Sequence, residues 1–105
     1  MSTEDFRAYY ERKHRVIGEK YLSGYATRYI RRYMNPITQI DGILVRPEFD
    51  VLLEIWFPDE STFLACGKRL NEPDVAREIV DDEAMLFEHG GKRSYIVEEC
   101  ESLMI

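Results

Sequence analysis

The stretch Phe49-Asp50-Val51-Leu52-Leu53-Glu54-Ile55-Trp56-Phe57 sets the tightest limit on what this chain folds into. Aromatic and β-branched residues dominate it, which favours an extended strand. Alternation puts Val51, Leu53, Ile55 and Phe57 on one face and Leu52, Glu54 and Trp56 on the other. Both faces are largely apolar, so the strand is expected to be central and covered on both sides. A chain of 105 residues has room for one domain, spanning 1–105, with a two-layer core. The cover must therefore come from a few helices and from strands alongside.

A first helix is signalled by Ser2 and Thr3 ahead of Glu4 and Asp5, a cap followed by acids at the positive helix end. Phe6, Tyr10, His14 and Ile17 recur at helical spacing and form one stripe, flanked by Tyr9 and Lys13. Ser23-Gly24 stops this helix near Tyr21. The segment from Gly24 to Tyr33 favours a strand, with Tyr25, Tyr29 and Tyr33 on one face and Arg28, Ile30 and Arg32 on the other. Pro58-Asp59-Glu60-Ser61 opens a second helix through about Arg69, and Asn71-Glu72-Pro73-Asp74 restarts one that runs toward Phe87, with Asn71 as its cap. A last strand is expected within Lys92 to Glu99, after Gly90-Gly91. The order is α-β-β-α-β.

Charge and composition narrow the function classes. The net charge of −6 argues against a nucleic-acid partner. No apolar run is long enough for a membrane span. Cys66 and Cys100 lie far apart without a CxxC, so neither a disulfide scaffold nor a zinc site is indicated, and a cytoplasmic location is expected. His14 and His89 have no acidic partner at ligand spacing, so no metal is expected. No phosphate-binding glycine motif is present, and no cofactor is expected. Ile37, Ile40, Ile43, Leu44 and Val45 make a greasy connection that needs cover from its own domain or from a subunit partner.

Five words in order, Phe6-x-x-Tyr9-Tyr10-x-x-x-His14, Tyr29-x-Arg31-Arg32-Tyr33, Phe49-Asp50-Val51…Glu54-x-Trp56-Phe57, Asp82-Glu83-x-x-Leu86-Phe87 and Val97-Glu98-Glu99, resemble the EthD family. The Tyr9-Tyr10-Glu11 and Arg31-Arg32-Tyr33 words most resemble its branch associated with aromatic-polyketide decarboxylases and dehydratases. The resemblance implies an α+β, ferredoxin-like dimeric α+β barrel: an antiparallel sheet with helices on one face, working as a homodimer. Its relatives begin with a further strand ahead of the first helix, so the first strand is expected to be missing here or replaced, by the tail Glu101 to Ile105 or by a partner subunit.

The same resemblance implies a pocket between the first helix and the sheet. His14 is the expected catalytic residue, because an imidazole titrates near pH 6.5 and exchanges protons at working pH. The alternative is a buried histidine satisfied by backbone groups. Tyr10, one turn earlier, and Tyr29 are expected to polarise a carbonyl or phenolate; the alternative is aromatic packing. Arg28 and Arg32 are candidates for holding a carboxylate, or for pairing with the acidic second half of the chain. Tyr9 and Trp56 complete the expected substrate contacts, and seven tyrosines suit a flat phenolic ligand. Asp82 and Glu83 are expected at a solvated helix end or a dimer contact, and His89 in a turn. The expected activity is a cofactor-independent lyase or isomerase acting on a small aromatic or polyketide-like acid. The alternative is a non-catalytic ligand-binding accessory barrel.

Overall fold

The computed structural model describes residues 2–87 and 91–105; His89, expected in a turn, lies outside the described residues. The chain begins with α1 (Thr3–Tyr9), a wide helical turn over Tyr10–His14 with π geometry, and α2 (Arg15–Leu22). Ser2 caps α1, its hydroxyl accepting from the Asp5 N–H at 3.1 Å. Two strands follow, β1 (Arg28–Tyr33) and β2 (Val51–Trp56), then α3 (Glu60–Leu70) and α4 (Pro73–Glu83). Asp59 caps α3 by accepting from the Thr62 N–H at 2.7 Å. Gly24 ends the first helical run with φ +88°, a conformation that L side chains rarely adopt.

The two strands pair antiparallel from Arg28 opposite Trp56 to Tyr33 opposite Val51. Tyr29, Arg31 and Tyr33 therefore share a face with Val51, Leu53 and Ile55, while Arg28, Ile30 and Arg32 share the other with Leu52, Glu54 and Trp56. The long first helix lies on the tyrosine face, antiparallel to β1: Arg7 stacks over Tyr33, Glu11 binds Arg31, and Gly18 abuts Tyr29. The buried residues Phe6, Tyr10, Tyr21, Leu22, Cys66 and Val75 lie on α1, the wide turn, α2, α3 and α4, so the core sits between the helices and one face of the hairpin.

Four expectations change. The β2 strand is not covered on both sides: among the described residues it pairs with β1 alone, and Leu52 and Trp56 are exposed. The segment Lys92 to Glu99 forms no strand, and Tyr95, Ile96 and Val97 are exposed. The tail Glu101 to Ile105 does not fill a strand position either. Both follow from one cause: a strand exists only where a neighbour accepts its ladder of hydrogen bonds, and no described segment lies alongside these residues. Finally, Asn71 does not cap α4; its amide donates back to the Gly67 carbonyl at 2.9 Å and closes α3, leaving Glu72 at the start of α4.

The connection between the strands bends back on itself at the Thr38–Leu44 bridge, with Gly42 at φ +85°. Ile37, Ile40, Ile43 and Leu44 are exposed on it. No described helix is long and apolar enough to cross a membrane.

Candidate functional site

The site is built on the wide turn. In a regular helix, each step of four residues overshoots a full turn by about 40°. Phe6, Tyr10 and His14 are nonetheless all buried on one side. The turn over Tyr10–His14 takes up that drift, because its hydrogen bonds span five residues and its pitch is looser. The Arg15 N–H consequently reaches the Tyr10 carbonyl. The Glu11 carbonyl, which that N–H would meet in an α-helix, instead accepts from Arg15 Nε at 2.8 Å. Sequence spacing identifies the stripe, while the wide turn that keeps it aligned emerges only in the fold.

His14 is 8% exposed. Its Nδ1 lies 2.7 Å from Asp82 Oδ2, and the Tyr9 hydroxyl donates to Asp82 Oδ1 at 2.6 Å. Asp82, on the last turn of α4, thus joins two residues of the first helix and is not merely solvated at a helix end. Sequence reasoning placed Asp82 outside the site, although a signal was present: Val75, Ile79 and Asp82 recur at spacings of four and three. A carboxylate on the apolar stripe of one helix complements a histidine on the apolar stripe of another. The imidazole meets the Tyr10 ring edge-on at 4.9 Å, and Phe87 closes a further side at 6.2 Å. The apolar rings lower the local polarity and strengthen the His14–Asp82 contact.

Tyr10 is fully buried, its ring surrounded by Phe6, Tyr33 and Phe87. Its hydroxyl lies 3.5 Å from that of Tyr29, the outer limit of a hydrogen bond. Burial pushes the Tyr10 phenol well above its ordinary value, and the Tyr29 contact adds to this; burial also raises Tyr29. Both remain neutral and able to donate at any working pH. Tyr9 is raised as well, chiefly because its hydroxyl is bound to the Asp82 carboxylate.

A second polar group borders this one. Arg31 grips Glu11 through two bonds of 2.8 Å, and the Tyr33 hydroxyl donates to the same carboxylate at 2.5 Å. The Arg31 guanidinium holds the Glu11 carboxyl down at about 2, with the Tyr33 bond helping against partial burial. A shallow depression of about 230 Å³, lined by Glu19, Leu22, Thr27, Arg28 and Tyr29 among others, opens at the other end of the helix and sheet seam.

The structure brings His14, Tyr10, Tyr29 and Tyr9 together and leaves Arg28, Arg32 and Trp56 apart. Those three project from the open face of the hairpin, because strand alternation sends even-numbered residues of β1 and β2 away from the helix. Arg32 pairs with Glu54, and the Arg28 guanidinium lies over the Trp56 ring at 5.4 Å. The expected grouping of these residues with His14 is thus corrected by the sheet geometry. Among the described residues no cluster of side chains suits a metal ion. Cys66 is buried and Cys100 exposed, both free.

The family model of the EthD domain matches residues 1–90. The chain belongs to the EthD domain family. No curated protein matches it, and no solved structure does. The match spans the elements that build the site in this EthD domain: the first helix, both strands and α4.

Proposed function

We propose that this EthD domain is a cofactor-independent lyase or isomerase of a small aromatic or polyketide-like acid, with His14 as the group that moves the proton. The observation that carries this reading is the Asp82-bound imidazole of His14 set among aromatic rings, with no backbone group satisfying it among the described residues. An imidazole held by a carboxylate alternates readily between accepting and donating a proton. In a decarboxylation of a polyketide-like β-keto acid, the bond to the carboxyl carbon breaks, CO2 leaves, and the electron pair delocalises into the neighbouring carbonyl. In a hydroxylated aromatic acid the proton reaches the ring carbon first, and the pair left by CO2 restores the ring. The Tyr29 hydroxyl, with Tyr10 behind it, donates to the developing oxyanion. Protonated His14 delivers its proton to the carbon. In a dehydration the same imidazole removes a proton next to the carbonyl and hands it to the departing hydroxyl, which leaves as water; in an isomerisation it returns the proton to another carbon of the same substrate. Neither course needs a metal or a redox partner. Arg28 and Arg32 have no part in these steps.

The test uses hydroxylated aromatic and polyketide acids in deuterated water, with mass spectrometry reading deuterium at carbon in the product. Wild-type protein is expected to introduce deuterium, and His14→Ala to lower the rate by about 10²–10⁴-fold. Full activity of His14→Ala removes the reading.

One observation favours a second reading. Tyr10 is fully buried, and it touches Tyr29 only loosely, which also suits a packed core beneath a binding surface. A non-catalytic accessory barrel would bind such acids without deuterium exchange in the wild type.

We further propose that the working form is a homodimer. The support is the exposure of the large apolar side chains Leu52, Trp56, Ile37, Ile40 and Leu44. Light scattering giving a monomer mass at micromolar concentration would sink this part.

A further inference from the structure

The Asp82 carboxylate makes two contacts that together constrain the proton on His14. Tyr9 Oη donates to Oδ1 at 2.6 Å, while Oδ2 faces His14 Nδ1 at 2.7 Å. An ionised carboxylate only accepts hydrogen bonds. Nδ1 must therefore carry a hydrogen for the second contact to be a bond, whatever the charge of the ring. In the neutral imidazole the other nitrogen, Nε2, is then bare and basic. Among the described residues Nε2 has no hydrogen-bond partner, and no buried polar side-chain atom is left unsatisfied.

We infer that Asp82 is a positioning residue that fixes the Nδ1–H tautomer of His14, with Tyr9 holding the carboxylate in the required rotamer, so that Nε2 is the atom presented for proton transfer. The inference deepens the proposed function and rests on it for its catalytic meaning. The tautomer itself is a property of the resting protein.

The surroundings support this division of labour. Charged and titratable groups near His14 come from three elements. The first helix contributes Tyr9, Tyr10 and Arg12, whose guanidinium lies 5.9 Å from the Tyr9 ring centroid. The β1 strand contributes Tyr33, 6.2 Å from Tyr10 ring to ring. The α4 helix contributes Asp82 and Glu83, and Glu83 is engaged by Lys92 at 2.9 Å. Asp82 alone among the described residues is hydrogen-bonded to the imidazole. Tyr9 and His14 belong to the same helical run and reach the two oxygens of one carboxylate. With one carboxylate oxygen taken, rotation of Asp82 away from His14 breaks two bonds rather than one.

The experiment is long-range ¹H–¹⁵N NMR on full-length protein labelled in histidine, at a pH where the ring is neutral, with His14→Gln used to assign the signals. The expected wild-type pattern is a protonated Nδ1 and a bare Nε2. In Asp82→Ala the ratio of the two tautomers is expected to fall by about tenfold or more, the worth of a charged hydrogen bond. Tyr9→Phe keeps the carboxylate and the fold and is expected to shift the ratio in the same direction by less. A wild-type ring protonated on Nε2, or an unchanged ratio in Asp82→Ala with native circular dichroism, overturns the inference. Should Asp82→Ala fail to fold, Tyr9→Phe decides: an unchanged ratio there overturns the clamp. These outcomes differ from failure of the proposed function, which shows as full activity in His14→Ala while the tautomer pattern stands.

Discussion

On the helix side of the hairpin, Tyr29, Arg31 and Tyr33 each meet a partner from the first helix: Gly18, Glu11, and Glu11 with Arg7. On the open side, Arg28 lies over Trp56 and Arg32 pairs with Glu54, both partners coming from the neighbouring strand. The residues of the two sides alternate along the same six positions of β1. Residue type does not separate them, since each side carries arginine beside aromatic or carboxylate groups. Position relative to the helix does. A guanidinium facing a buried helix is ordered and partly desolvated, whereas one on an open sheet face exchanges with water and contributes little.

The largest effect expected to sharpen this contrast is on chemistry. His14→Ala is expected to lower proton exchange by about 10²–10⁴-fold, while Arg32→Ala leaves it unchanged. A comparable loss in Arg32→Ala would show that the open face takes part, and the comparison would break.

The next effect is steric. A Cβ at Gly18 would sit 2.8 Å from Tyr29 Oη. Overpacking of this kind costs about 1–3 kcal/mol, offset by about 1 kcal/mol of helix propensity. Gly18→Ala is expected to lose about 1 kcal/mol in urea unfolding. Tyr29→Phe removes the closest atom but leaves ring carbons at 3.0 Å, so in that background the same change is expected to cost less.

A third prediction concerns acid. The folded-state value of Glu11 lies at about 2, below the ordinary 4.5. Its contribution to stability is therefore complete above about pH 4.5 and is lost as pH falls toward 2. Thermal unfolding of wild type should show a falling midpoint across that window, and Glu11→Gln should flatten the fall. An equal slope in the variant would mean that other carboxylates dominate.

The smallest effect belongs to the open side. Arg28→Ala and Arg32→Ala are each expected to change stability by no more than about 0.5 kcal/mol in the monomer. A larger loss that depends on protein concentration would point to a second copy on this face.

Much of the helix side was legible in the sequence. The Phe6, Tyr10, His14 stripe and the tyrosine face of β1 are periodicities, and local geometry fixes them wherever the segment packs. The capping of α1 by Ser2 is equally local. The partner of His14 was not legible, because Asp82 stands 68 positions away and only packing of α4 against the wide turn brings them together. The placement of Arg28, Arg32 and Trp56 was half legible. Alternation gives their shared face, but which face the helix covers is a tertiary choice.

Residue order alone carries the family, and local sterics and spacing account for the helices, the two strands of the hairpin and which residues of each share a side. Long-range packing makes Asp82 and Tyr9 converge on His14, gives Arg31 its counter-ion in Glu11, and leaves the segment Lys92 to Glu99 without a ladder. The reason is the same in each case. A side chain's direction is set by its own backbone, but its partner, and a strand's neighbour, is set by distant segments competing for the same buried surface and hydrogen bonds.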